Sequence, residues 1–294
     1  MVLSDIKRAI VSGLRNLPIK VRSAAIYGSS ARGTQTRDSD LDLLLISEDV
    51  NPRRHRRGNT IAMIKEKLAL DIPLDILLLT PAECLSNFRN HNPLFLDITV
   101  EGQVLLDEDN FLKSLMEEAS AYIDERHIRK SDDGWAFPVP ERAPGFLSEV
   151  SNQDFAVAMV ADGGRDFEIG VDILEKGYFD KSVYHFQQAA EKGVKAILIC
   201  FGIFKKTHFV GELLLKELES RELEDNWKQR LMSTARVSLE IEPEVTWSRY
   251  PGIDGNSLWV PSEEYTKEDA VLIKDKCKEA VVAAREFVEW WFKK

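Results

Sequence analysis

The chain has 294 residues, 39 Lys and Arg against 49 Asp and Glu for a formal net charge of −10, and 44% apolar and 30% charged residues. That balance is the one of a globular protein and excludes a disordered chain, a collagen and a membrane protein, since no apolar run reaches the roughly 18 residues of a membrane helix. The start MVLSDIKRAI has early charges and no secretory leader's apolar core, and Cys84, Cys200 and Cys277 are too scattered for a disulfide framework or a zinc site, so a cytoplasmic protein with reduced thiols is expected.

Length implies about two domains, and charge divides the chain in the same way. Residues 1–107 hold 14 Lys/Arg and 13 Asp/Glu, a net of +1, whereas the remainder carries −11. Two domains with different tasks follow, and the acidic total argues against tight non-specific DNA binding. In the first part, Ser4 caps a helix running to about Leu14. Val21–Tyr27, Leu41–Ile46 and Leu74–Leu79 read as strands, and Thr60–Leu70 as a helix ending before Pro73. Asp97–Val100 and Gln103–Leu106 around Gly102 read as a hairpin at the edge. This alternation gives a layered α/β domain.

From Glu108 the strand signal fades. Phe111–Ile128 reads as a helix, and residues 131–145, with three prolines and two glycines, as a linker or lid loop. Asp154–Glu175, Asp180–Phe201, Phe209–Glu219, Leu223–Leu239 and Lys267–Phe292 read as helices. Asp180 is a candidate N-cap, and Thr266 with Asp269 a capping box. Ile241–Glu264 is long for a bundle loop and is a candidate functional element. The predicted division is 1–107, a connecting helix and Pro/Gly-rich linker over 108–153, and a helical bundle over 154–294.

The chemistry concentrates in AIYGSSARGTQTRDSDLDLLLIS, residues 25–47. A strand ends at Tyr27, Gly28-Ser29 make a tight turn, and a short helix beginning near Ser30 aims free backbone N–H groups at the turn, where an anion is stabilised. Gly28 lets phosphate approach the backbone, Ser29 adds a hydroxyl donor and Arg32 a cation. Asp40 and Asp42 share one face of the following strand. Crowded carboxylates at this spacing suit Mg²⁺. Asp75 opens the later strand PLDILLLT and reaches the same metal if the two strands are neighbours. Three carboxylates beside a phosphate-binding turn point to two-metal phosphoryl or nucleotidyl transfer. The site is expected at the carboxyl end of the strands carrying Asp40 and Asp42. Asp71 reads as a solvated loop residue. The run RRHRR, Arg53 to Arg57, either meets triphosphate or an RNA-like acceptor or forms a solvated loop; no interleaved aromatic is there to stack bases.

Gly28, Ser29, Ala31, Arg32, Gly33, Ser39, Asp40 and Asp42 together resemble the signature of the DNA polymerase beta-type nucleotidyltransferases, in their minimal branch, with Asp75 fitting the later strand carboxylate. The resemblance implies a mixed-sheet domain that transfers a nucleoside monophosphate, AMP if ATP is the nucleoside triphosphate, to an acceptor hydroxyl with release of pyrophosphate. Asp40, Asp42 and Asp75 are its implied catalytic and metal residues, and Gly28, Ser29 and Arg32 its nucleotide-binding ones. The acceptor, a protein, an RNA end or a small molecule, stays open.

DILEKGYFDKSVYHFQQAAEKGVKAILICFG, residues 172–202, with Thr207 and His208, resembles HEPN domains, helical bundles often paired with minimal nucleotidyltransferases. Gln188, Ala189, Glu191, Lys192 and Lys195 carry the likeness. Val183, Phe186, Ala190, Val194 and Ile197 also read simply as a buried helix face. HEPN ribonucleases carry Arg followed by His after four to six residues, and none of the five histidines here (His55, His91, His127, His185, His208) has that arginine. Ribonuclease activity is therefore not expected, and His208 reads as structural. Trp290 and Trp291 close the bundle or an interface. The alternative to an enzyme is a non-enzymatic nucleotide-binding module of the toxin–antitoxin kind, and a homodimer is expected in either case.

Overall fold

The computed structural model describes residues 3–36, 39–131, 134–147 and 149–293. The chain forms two compact units, Met1–His127 and Ile128–Lys294.

The first unit runs α1 (Leu3–Leu14), β1 (Ser23–Tyr27), α2 (Gly28–Arg32), β2 (Leu41–Ile46), α3 (Gly58–Leu68), β3 (Leu74–Leu79), α4 (Pro81–Arg89), α5 (Pro93–Glu101), β4 (Gln103–Asp107) and α6 (Phe111–Glu125). Its sheet has the order β3-β2-β1-β4, with β2 parallel to β3 and β1 antiparallel to both β2 and β4. Strand alternation splits the core in two. Leu41, Leu43, Leu45, Leu74, Ile76 and Leu78 face Ile6, Ile10 and Leu14 of α1 and Ile64 and Leu68 of α3. Ala25, Tyr27, Leu44, Ile46 and Leu79 face Cys84, Phe88, Phe95, Ile98, Leu112 and Leu115 of α4, α5 and α6. Each large apolar side chain contributes about 1.5–3 kcal/mol when buried, so a one-residue slip of β2, which would exchange the two sets, is strongly disfavoured.

Three expectations change here. The hairpin around Gly102 is a helix followed by a strand: α5 takes residues 97–100, and β4 pairs with β1 instead. Its start signal outweighs the β-branched residues, because the Asn92 side chain accepts from the Leu94 N–H at 3.0 Å and Pro93 needs no donor in the first turn. Ser4 lies inside α1 and is not its cap. The expected helix over 60–70 starts earlier, at Gly58, and stops at Leu68.

The second unit runs β5 (Arg129–Ser131), β6 (Gly134–Ala136), α7 (Asn152–Glu175), α8 (Phe179–Cys200), β7 (Ile203–Lys205), α9 (Gly211–Ser220), α10 (Asp225–Ile241), α11 (Glu244–Trp247), β8 (Gly252–Asp254), β9 (Ser257–Trp259), α12 (Pro261–Glu264) and α13 (Lys267–Phe292). It is a helical bundle in which α8 packs against α7, α10 and α13. Capping boxes open α7 (Ser151 with Asp154) and α13 (Thr266 with Asp269). Asp180 caps nothing: it sits in the first turn of α8, buried and paired with Lys181 at 2.8 Å. The stretch 131–145 is not simply a linker, since β6 joins β5 and β7 in a three-stranded sheet around the buried Trp135. Residues 132 and 133 of that stretch lie outside the described residues. Ile241–Glu264 is structured too, holding α11, the β8–β9 hairpin and α12. Trp291 is buried among Phe201 and Phe287, and Trp290 lies tilted 5.3 Å from Trp227 with Arg142 3.8 Å from its ring. The three cysteines are buried and unpaired. Among the described residues no helix is long and apolar enough to cross a membrane.

Candidate active site

The site is built where β1 ends and β2 and β3 begin. β1 runs into α2 without a loop: Tyr27 is extended (φ −136°), and Gly28 turns the chain at φ +69°. Such a φ favours glycine, and space demands it as well. A Cβ on Gly28 would lie 2.1 Å from Oδ2 of Asp42, so the turn and the carboxylate are in direct apposition.

Asp42 stands opposite Tyr27 on one side and opposite Asp75 on the other, through the β1–β2 and β2–β3 registers. The Leu41 N–H donates to Pro73 O at 2.9 Å and continues the ladder past the strand start, which fixes the Asp42–Asp75 alignment. Both aspartates belong to the face that carries Leu44, Ile46 and Leu79 further along, and they replace that apolar series at its open end. Asp42 is half-buried and Asp75 exposed. Burial, then the charges of Asp42 and Asp75, push the Tyr27 phenol well above its ordinary range, so Tyr27 stays protonated and is no base.

The carboxylates therefore sit at the amino end of β2 and β3, not at the carboxyl end that their sequence led us to expect. The reason is that β1 is antiparallel to β2, so the turn after β1 meets the start of β2. Asp40 is exposed and precedes β2 instead of lying on it. Among the described residues no group of three or more His, Cys, Asp and Glu side chains is close enough to hold a metal. Two aligned carboxylates still fit magnesium, a hard ion that takes oxygen ligands and is commonly held by one or two carboxylates plus waters and substrate phosphates.

The nucleotide-side residues divide. Ser29 Oγ makes no hydrogen bond among the described residues, whereas its carbonyl closes the end of α2 by accepting from Thr34 N at 3.0 Å. Arg32 is not an idle cation: its Nη1 bonds Glu101 Oε2 at 2.7 Å. Ser39 shapes its own loop, accepting from Thr36 N at 2.9 Å. Sequence reasoning missed Tyr27, Glu101 and Gln103, whose Nε2 donates to Ala31 O of α2. Tyr27 had a signal, its place directly before the turn; Glu101 and Gln103 arrive from across the sheet and had none.

The arginine run is settled by position. Arg57 is fully buried; its guanidinium donates to Asn51 O (2.6 Å), Leu78 O (2.8 Å) and Glu83 Oε2 (2.7 Å), while Glu83 closes the capping box of α4 with Thr80. It is a structural clamp, neither a triphosphate contact nor a solvated residue. Arg53, Arg54, His55 and Arg56 are exposed beside it. Leu78 is three residues beyond Asp75, about 10 Å along β3, so this end of the sheet lies away from the aspartates.

In the second unit, Glu191 is buried at the middle of α8. It accepts from Gln187 (3.1 Å) and Gln188 (3.3 Å), pairs with Lys195 (2.9 Å), and holds His208 Nδ1 at 3.0 Å. Lys192 instead pairs with Asp162 and Asp166 of α7, and Asp166 also holds His185 at 3.0 Å. Ala189 is buried in the bundle. These residues tie α7 and the segment after β7 to α8.

A nucleotidyltransferase domain model matches residues 7–105 and a HEPN domain model residues 158–294. The chain is 35% identical over 119 residues to the Methanocaldococcus jannaschii protein named "Putative toxin MJ1304", a match covering 40% of this chain and 78% of that one. It is 31% identical over 97 residues to "Putative protein adenylyltransferase MJ1305" of the same organism, covering 32% of this chain and 65% of the relative, just under two thirds of its length. A solved toxin–antitoxin structure with AMP-PNP aligns at 21% identity and a TM-score of 0.29, covering 41% of this chain and 92% of that one, and at that score it has no bearing on function.

Proposed function

Because the chain belongs to the HEPN family and carries a nucleotidyltransferase domain ahead of its HEPN domain, we propose that it is a magnesium-dependent nucleotidyltransferase that moves AMP from ATP to a hydroxyl of a protein acceptor. The observation that carries this reading is Asp42 pressed against the Gly28 turn with Asp75 in register beside it. The adenylyltransferase name of the second relative supports adenylate and a protein acceptor.

In the proposed reaction the acceptor oxygen forms a bond to the α-phosphorus as the α–β phosphoanhydride bond breaks, and pyrophosphate leaves. The hydroxyl proton passes to the exposed Asp75 carboxylate and on to water. Ser29 Oγ and the open N–H groups of α2 donate to the triphosphate. Asp42 and Asp75 would hold the metal, with water and phosphate oxygens completing its shell, and it would supply neutralisation of the phosphates and activation of the hydroxyl. Tyr27, buried opposite Asp42, stays neutral.

The test is incubation of extract with α-labelled ATP and Mg²⁺. We expect a labelled protein and released pyrophosphate with the wild type and neither with Asp42→Asn. The Arg32–Glu101 pair favours one competing reading, a nucleotide-binding regulatory module, since it neutralises the cation nearest the turn. ATP binding without pyrophosphate release in any extract would establish that reading instead.

A further inference from the structure

A groove of about 630 Å³ runs between α1 and β4, lined by Lys7, Arg8, Val11, Arg15, Asn16 and Val104, among others. Three of these side chains are cations. Lys7 and Arg15 make no ion pair among the described residues, and Arg8, whose side chain is 80% exposed, pairs only with its helical neighbour Asp5. The groove lies on the α1 side of the sheet, across from the face that carries Asp42 and Asp75, and one end of it is linked to α2 at the open end of the sheet through Gln103. Lys7 donates to Gln103 Oε1, and Gln103 in turn donates to Ala31 O of α2; Gln103 also pairs with Ile26, one residue before Tyr27. From there it follows α1 for two turns toward Arg15, about 12 Å. β4 is the outer strand of the sheet, so one of its backbone edges has no strand partner among the described residues.

We propose that this groove docks an acidic, extended segment of the protein acceptor and so presents the acceptor hydroxyl to the Asp42–Asp75 site. The inference rests on the transferase reading above. Charge complementarity selects an anionic occupant. The floor selects a peptide: Val11, Val104 and Leu105 offer apolar contact, and among the described residues no aromatic side chain lines the groove to stack a base, as a single-stranded nucleic acid track requires. An extended peptide can also bond the open edge of β4.

The experiment measures fluorescence anisotropy of three probes on the full chain: a Glu/Asp-rich peptide with one tyrosine, its Lys-substituted counterpart, and an oligouridylate of equal length. The variants are R8E/R15E, with both residues exposed and outside the catalytic set, and R8K/R15K. ATP affinity is measured on the same samples to show that the unit is folded. We expect the acidic peptide to bind wild type and R8K/R15K alike and R8E/R15E at least tenfold more weakly, with binding falling steeply between 50 and 500 mM salt. No binding of the acidic peptide, equal binding of the basic one, an unchanged affinity in R8E/R15E, or tighter binding of oligouridylate lost in the same variant would each overturn the proposal. Labelling of extract protein separates the two readings. If the wild type labels nothing, the transferase reading fails while the peptide measurement still stands. If R8E/R15E labels as fast as wild type, the groove is not the acceptor track although the transferase is real.

Discussion

Gly28 and Gly33 bracket the turn at the candidate site, and exchanging each for alanine separates backbone strain from apposition to Asp42. Both have positive φ, +69° and +73°, so each alanine costs about 1–2 kcal/mol of left-handed strain. A Cβ on Gly33 meets nothing within 4 Å, whereas one on Gly28 falls 2.1 Å from Asp42 Oδ2 and 3.0 Å from its Cγ. Carbon contacts are best at about 3.5–4.0 Å, so the overlap with the carboxylate is about 1.4 Å and Asp42 must move by roughly that much. Overpacking adds about 1–3 kcal/mol, and a ligand or reacting group displaced by 1 Å can cost about a hundredfold in rate. At roughly 4 °C per kcal/mol for a unit of this size, Gly33→Ala should lower the melting temperature by roughly 4–8 °C and keep transfer close to wild type. Gly28→Ala should melt lower still and lose about two orders of magnitude in AMP transfer. Scanning calorimetry and labelled-AMP transfer measure the two effects on the same preparations. If Gly28→Ala and Gly33→Ala matched in both, the argument that the turn holds Asp42 in place would be refuted.

Removing one charge of the Asp42–Asp75 pair should stabilise the metal-free chain while ending transfer. At about 5 Å the repulsion is roughly 1 kcal/mol in water-like and 3 kcal/mol in protein-like dielectric, and the exposure of Asp75 places it near the lower figure. Asp75→Asn should therefore melt a few degrees higher in EDTA, and a lower melting point there would contradict the crowding. Arg57→Met deprives Glu83 of its cation and removes the guanidinium donors from three carbonyls, a loss of about 3 kcal/mol in urea unfolding. Burial pushes the Glu83 carboxyl up, but hydrogen bonds from Arg57 and the Thr80 N–H outweigh it and hold it below its ordinary value. Such a group stabilises above its unfolded pKa of about 4.3 and loses that contribution as pH falls through the folded value, so wild type should lose stability on acidification where Arg57→Met loses less. Purified protein should not cleave RNA in EDTA, because His208 is held by Glu191 and no histidine has the required upstream arginine; cleavage retained in Asp42→Asn but lost in His208→Ala would overturn this. Sedimentation at tens of micromolar should show the expected homodimer, weakened by Leu258→Asp in the β8–β9 hairpin, where Ile253 and Leu258 are 83% and 67% exposed; a monomer throughout would remove it.

What the sequence determined by itself is what depends on neighbours in the chain. β2, β3 and α13 fall on their predicted residues because alternation, 3.6-residue spacing and caps such as Thr266–Asp269 are local signals. The two family resemblances were legible for the same reason, since Gly28-Ser29 and Asp40-x-Asp42 are contiguous motifs. Residues 97–100 misled because β-branched residues read as strand, while the decisive Asn92–Pro93 start lay upstream. Only tertiary structure could decide which end of the sheet holds the chemistry. Strand direction is set by pairing: an antiparallel β1 brings the Gly28 turn to the start of β2, and a parallel β3 brings Asp75 level with Asp42. Pairing across distance likewise gave Arg57 to Glu83, Arg32 to Glu101 and Gln103 to Ala31. No local pattern encodes these contacts, because each partner is chosen by where packing of the two apolar faces brings the backbone, not by the residues beside it in the chain.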